Sequence, residues 1–113
     1  LGLAGSELTR AAERVGIRAI SEAFVDRAYR VDGTLVPRSE PGAILHDVGE
    51  VAERALRMVQ TGTVQAIDGT MIDVRAESLC THGDGPHALA IVRAVRARLE
   101  SVGIQVAPFV AAT

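Results

Sequence analysis

The chain is short of several things, and each shortage narrows what it can be. It has one cysteine, Cys80, so no disulfide framework can staple it from within, which is how a small secreted domain would more often be built. It has no tryptophan and no lysine; all twelve basic residues are arginine, which reads as the coding bias of an Ala/Arg/Val-rich genome rather than as chemistry. No charge of one sign dominates. The net charge of -2 is spread along the chain without a basic patch, so neither nucleic acid nor an anionic membrane surface is an expected partner. The apolar runs fall well short of the roughly 20 residues that span a bilayer, and no basic-then-apolar start resembles a signal peptide. A cytoplasmic protein is the expectation. What the chain does have is apolar material: 113 residues, 48% hydrophobic, enough for the core of one domain. It begins at Leu1 and its first methionine is Met58, so a piece of a longer chain, or a processed chain, is expected.

Strand and helix patterns alternate. Ser6 precedes E-L-T-R-A-A-E-R-V, with Leu8, Ala11, Ala12 and Val15 on one face and Gly16 after it, predicting a capped helix over 7–15. Residues 17–24, I-R-A-I-S-E-A-F, predict a strand, and about twenty residues with two prolines and no sustained period follow as a long loop. Asp47 and Glu50 mark a capping-box start for a second helix that Gly62 ends. Val51, Ala52, Ala55, Leu56, Met58 and Val59 form its buried stripe, and Glu50–Arg54 and Glu53–Arg57 are i,i+4 pairs on its outer face. T-V-Q-A-I and T-M-I-D-V flank Asp68-Gly69 and predict a hairpin with a tight turn. S-L-C-T-H reads as a strand, and the segment after G-D-G-P as a helix with Ala88, Leu89, Val92, Val95, Leu99 and Val102 inward. Gly103 closes it, and I-Q-V-A-P-F, 104–109, offers a last strand.

That alternation predicts an α/β layer with parallel strands and an inserted β-hairpin, in which the loops at the carboxyl ends of strands gather on one side. Two loops would then open at the same edge. One follows residues 17–24 and carries Glu22, Asp26 and Arg27; the other is C-T-H-G-D-G-P-H-A, 80–88, with His82 and Asp84 where strand becomes helix.

Three stretches carry a resemblance in order and spacing across nearly the whole chain: L-G-L-A-G-S-E-L at the start, E-A-F-V-D-R-A-Y with D-G-T-L-V-P-R-S, and C-T-H-G-D-G-P-H-A-L. Together they resemble the C-terminal part of the LamB/YcsF family, which includes the A-subunit of the bacterial ATP-dependent 5-oxoprolinase. The resemblance implies a distorted (β/α) barrel of the glycoside hydrolase and deacetylase type, with residues 1–113 as the C-terminal half and the N-terminal half absent. It also implies ATP as co-substrate and partner subunits B and C, the assembly opening the lactam of 5-oxoproline to L-glutamate. A fragment of this kind is expected to be inactive alone. Two other readings stay open: a non-catalytic α/β interaction fragment that pairs with the missing half or as a homo-oligomer, and an ATP-independent, metal-dependent amide hydrolase.

Hydrolysis of an unstrained amide needs help for the nucleophile and for the nitrogen leaving group. Carboxylates and imidazoles carry protons, and Arg side chains and helix N-terminal amides hold anionic groups. His82, Asp84, Asp26 and Glu22 are therefore the catalytic candidates, and Arg27, Arg38, Gly83 and Gly85 the candidates for binding substrate or phosphate. Each has a structural alternative. Asp84 before Pro86 can be a helix cap; Glu22, Asp26 and Arg27 can be an ion pair under the loop; Arg38 can anchor that loop; His82 can be a satisfied histidine at a strand end. His46 and His87 read as cap-adjacent or solvent-facing, and Cys80 as a small core residue, a catalytic thiol beside His82 being the alternative. An H-x-D spacing offers two metal ligands, but nothing supplies a third, so no metal site is assigned.

Overall fold

The structure is a computed structural model and describes residues 1–110. Three strands, β1 (Gly2–Leu3), β2 (Ser21–Phe24) and β5 (Ser78–Cys80), form a parallel sheet in the order β1-β2-β5. Between β2 and β5 lie helix α2 (Val48–Thr61) and an antiparallel hairpin, β3 (Thr63–Gln65) and β4 (Met71–Asp73), which forms its own two-stranded sheet. Helix α1 (Glu7–Arg14) connects β1 to β2, and α3 (Ala88–Ser101) follows β5.

The helix ends follow their local chemistry. Ser6 Oγ accepts from the Thr9 amide at the start of α1, and Asp47 Oδ1 accepts from the Glu50 amide, 2.8 Å away, at the start of α2. Gly62 closes α2 at φ 65°, a left-handed position that a side chain would strain. Side chains alternate across β2, so Ala23 turns into the core and Glu22 and Phe24 turn away. Ala23 and Val25 join Val51, Ala55, Leu56 and Met58 of α2 and Ile91, Val95 and Leu99 of α3 in one cluster.

Several expectations need correction. On α1 the apolar residues Leu8 and Val15 are exposed, and Thr9 is the buried one. The helix meets the sheet at glycine, where a Cβ on Gly2 would lie 3.1 Å from Thr9 Cγ2, so Thr9 fits the narrow contact. On α3 the buried line is Ile91, Val95, Leu99, while Leu89, Val92 and Val102 are exposed; on α2, Val59 is exposed. Residues 17–20 make no strand; the ladder begins at Ser21. Gly2–Leu3 is a strand too short to leave a period in the sequence. Residues 104–109 form no strand and leave the outer edge of β5 unpaired among the described residues; Ile104 packs on the core. The hairpin turn places only Gly69 at positive φ, and Gly69 donates to the Ala66 carbonyl, so the turn spans 66–69 rather than pivoting on Asp68-Gly69 alone.

The long loop after β2 is folded. Its Ala28 amide donates to Ala43 O, Val36 to Ala28 O and Leu45 to Asp26 O, around a small second cluster of Ala28, Val36 and Ala43. Prolines and glycines hide its pattern, since it is built from isolated bridges, Arg27–Ile44 and Tyr29–Leu35, rather than a sustained ladder.

Candidate functional site

Parallel pairing of β2 with β5 brings the ends of two strands together. Phe24 lies opposite Cys80, and the Val25 amide continues the ladder to Cys80 O. One step further, Asp26 and His82 meet. Asp26 Oδ2 accepts from the His82 backbone amide at 2.8 Å, and His82 Nδ1 lies 2.9 Å from Asp26 Oδ1. The carboxylate is acceptor-only, so Nδ1 carries the proton and the neutral ring keeps its lone pair on Nε2. Asp26 is 5% exposed; the His82 side chain is 26% exposed, with its ring edge-on to Phe24 at 5.3 Å between centroids. An imidazole fixed in one tautomer by a buried carboxylate, with its second nitrogen accessible, can take up or deliver a proton.

A cavity of about 260 Å³ opens beside this pair. Asp26, Arg27, Arg38, His82, Asp84 and Gly85 all border it. Of the residues singled out from the sequence, Glu22 and Gly83 do not. Glu22 lies further back on β2, half-buried, and Gly83 is exposed in the junction loop. Asp84 is no helix cap: α3 starts at Ala88 with His87 in the cap position, and the partner of Asp84 is Arg38 Nη1 at 3.4 Å, joining the long loop to the junction. Arg27 forms no ion pair with Glu22 or Asp26, against its structural alternative; its Nη2 donates to Val36 O at 2.8 Å and ties the loop down, the part that alternative reading gave to Arg38.

The same cavity is bordered by His46 and His87, neither of which is a site candidate on sequence. Their signal is position, since His87 is the cap residue of α3 and His46 precedes Asp47, the cap of α2, at the edge where strand ends and loops collect. Arg54 also departs from expectation. It forms no pair with Glu50 but reaches inward, donating to the carbonyls of Phe24 and Val25 at 3.1 and 2.7 Å and lying over the Tyr29 ring. Burial depresses its pKa. Glu53 likewise bonds Arg98 of α3 rather than Arg57. Tyr29 Oη accepts from the Phe24 amide, and burial pushes the phenol pKa up. Together Tyr29 and Arg54 fasten the two residues that precede Asp26.

Cys80 is half-buried and lies outside both apolar clusters. Burial, with the charges of Glu22 and Asp26, raises its thiol pKa, the opposite of what a nucleophilic cysteine needs. Among the described residues, no three His, Cys, Asp or Glu side chains are grouped to hold a metal ion, and no helix is long and apolar enough to cross a membrane.

Comparison with known proteins places these features in a lineage. The chain is 58% identical over 107 residues to the A-subunit of 5-oxoprolinase from Paracidovorax citrulli, covering 95% of this chain and 43% of that protein. It is 53% identical over 109 residues to the A-subunit of 5-oxoprolinase from Mycolicibacterium gilvum, covering 96% and 43%. The crystal structure of a lactam utilization protein from Thermus thermophilus superposes with a TM-score of 0.85 at 45% identity, covering 94% of this chain and 43% of that one. The chain thus spans less than half the length of the relatives it matches. The LamB/YcsF family model matches residues 1–113, and with that match the chain belongs to the LamB/YcsF family.

Proposed function

We propose that this chain is the C-terminal portion of the (β/α)-barrel A-subunit of a cytoplasmic, ATP-dependent 5-oxoprolinase that works with subunits B and C to convert 5-oxoproline to L-glutamate. The observation that carries the reading is the Asp26–His82 pair at the carboxyl ends of two adjacent parallel strands, the edge where barrels of this kind gather reacting groups. The relatives named as 5-oxoprolinase A-subunits support the reaction, and the structural likeness to a lactam utilization protein supports the substrate class.

Opening the lactam requires a proton to leave the attacking water and another to reach the ring nitrogen. His82 Nε2 is the group for both transfers, held in its tautomer by Asp26 and flanked by Asp84 across the cavity. ATP supplies the activation that makes the unreactive amide carbon electrophilic.

The test is 5-oxoproline-dependent ATP hydrolysis by the intact subunit that contains these residues, with B and C supplied. His82→Ala and Asp84→Ala are compared with the parent sequence, and circular dichroism checks folding. His82→Ala is expected to lower the rate by roughly 10²- to 10⁴-fold. Unchanged turnover in a folded His82→Ala subunit would remove imidazole catalysis from the account, and lactam opening without ATP would replace it with the simple amidase reading.

A further inference from the structure

We propose that the cavity beside His82 is a subsite for a small carboxylate, held by Arg27 and Arg38 at the positive end of α3. Charge accounting points there. Of the carboxylates that border the cavity, Asp26 bonds the neutral His82 and Asp84 pairs with Arg38, and neither lies within ion-pair distance of Arg27. Arg27 is left over. It is 8% exposed, its one bond among the described residues runs to a neutral carbonyl, and its Nε–H has no partner among them. A guanidinium taken out of water without a counter-charge is costly, and a bound anion removes that cost.

The helix at the cavity wall has the same preference. The first turn of α3 contains no acidic residue, its cap position is His87, and no side chain caps its leading amides. His87 and Ala88 border the cavity, so the positive end of a fourteen-residue helix faces the space that Arg27 lines. Ile44, Leu45, Pro86 and Ile91 supply apolar wall for a ring. At about 260 Å³ the space falls below the ~300–1,000 Å³ of sites for drug-sized ligands, which favours a compact acid over a nucleotide. His82 borders the same space, so a lactam acid anchored by its carboxylate meets the imidazole.

The carboxylate subsite stands on the geometry of this chain; that the acid is a lactam acid rests on the proposed function. The chain is titrated with 5-oxoproline, with 2-pyrrolidinone, which is the same ring without the carboxylate, with acetate and with inorganic phosphate. Calorimetry is expected to show 5-oxoproline binding at least 10-fold more tightly than 2-pyrrolidinone. Arg27→Met is expected to weaken it by about 10- to 100-fold, the loss of one charge-assisted hydrogen bond, and the more exposed Arg38→Gln by less. Because Arg27 also ties down the loop, a readout on the unaltered chain accompanies the variants: the Arg27 Nε–H nuclear magnetic resonance signal, identified by its loss in Arg27→Lys. It is expected to shift on saturation with 5-oxoproline or acetate and to stay in place with 2-pyrrolidinone. A signal that stays fixed, equal affinity for 2-pyrrolidinone, or tighter binding of phosphate than of either acid overturns the carboxylate subsite. Arg27-dependent binding of acetate in a protein whose intact subunit opens no lactam would instead retain the subsite and overturn the parent reading.

Discussion

Asp26 carries two duties through one carboxylate: Oδ2 fixes the His82 backbone and Oδ1 fixes its ring. Asp26→Asn separates them. An amide has one acceptor oxygen in place of two, so the side chain keeps one N–H partner and turns an N–H toward the other. The expected result is a folded protein whose turnover in the assembled enzyme falls by roughly 10²- to 10⁴-fold, with the dependence of rate on pH altered because the tautomer is no longer imposed. A pH–rate profile that superposes on that of the parent sequence would limit Asp26 to a structural role. Tyr29 offers an independent residue-scale test, since it is the chain's only tyrosine and its ionisation can be followed by absorbance. Burial raises its folded pKa above that of an exposed phenol. The unfolded chain therefore loses its proton first, so the stabilisation is fully present below about pH 10 and is lost as pH rises through the folded value. The absorbance midpoint should lie above about pH 10 and coincide with alkaline loss of structure. A midpoint at the ordinary phenol value would mean that the ring and its bond to Phe24 are open to water.

The helices are the most readable part of the sequence, because caps act over a few residues. Ser6, Asp47, Gly16 and Gly62 mark their ends as composition suggests, and both cap bonds form. Gly62→Ala tests this directly. It places a Cβ at φ 65° and 3.3 Å from Arg75 Nη1, and should cost about 1–2 kcal/mol, seen as a melting temperature lower by several degrees. Gly85→Ala meets nothing within 4 Å and has no positive φ, so its melting temperature should match that of the parent chain. Equal effects of the two would contradict the left-handed cap. What the sequence hides are choices made by tertiary neighbours. Arg54 and Glu53 have helical partners at the right spacing and take others, the carbonyls of β2 and Arg98 of α3. On α1 the face turns Thr9 rather than Leu8 toward Gly2, and on α3 the line Ile91, Val95, Leu99 is chosen over Leu89 and Val92, which are as apolar and as helically spaced. Of the site, Asp26, Arg27, Arg38, His82, Asp84 and Gly85 are legible, since strand-end loops and charged residue types announce themselves. His46 and His87, exposed and cap-adjacent as the sequence suggests, border the cavity only because the folded loop and the junction meet there, which no local period encodes.

At the scale of the molecule, the site is assembled from two parts that differ in how deeply they are anchored. His82 follows a strand of the sheet, whose core cluster runs through α2 and α3. The loop that supplies Arg27 and Arg38 reaches that core through Tyr29, Leu35 and Leu45, but its Arg27 and Arg38 stretches rest on a much smaller cluster of Ala28, Val36 and Ala43 and on a few backbone bonds. Regions with few buried apolar contacts open at lower free energy than the core, so the chain should show two tiers of amide hydrogen exchange. Amides of Val95 and Leu99 should exchange only on global unfolding. Those of Ala28, Val36 and Leu45, each bonded within the loop, should exchange faster than these and slower than the exposed tip at Val31 and Asp32. Asp26 sits at the seam, since its own carbonyl accepts from Leu45 while its carboxylate holds His82. Opening the loop therefore loosens the Asp26–His82 pair, and occupying the cavity should close both, raising protection at Leu45 and Val36 while leaving Val95 unchanged. If the loop amides exchange with the core in a single tier, the loop is part of one cooperative unit. If they exchange as fast as the tip, the second cluster does not hold it, and the geometry of Arg27 and Arg38 must come from the ligand rather than precede it.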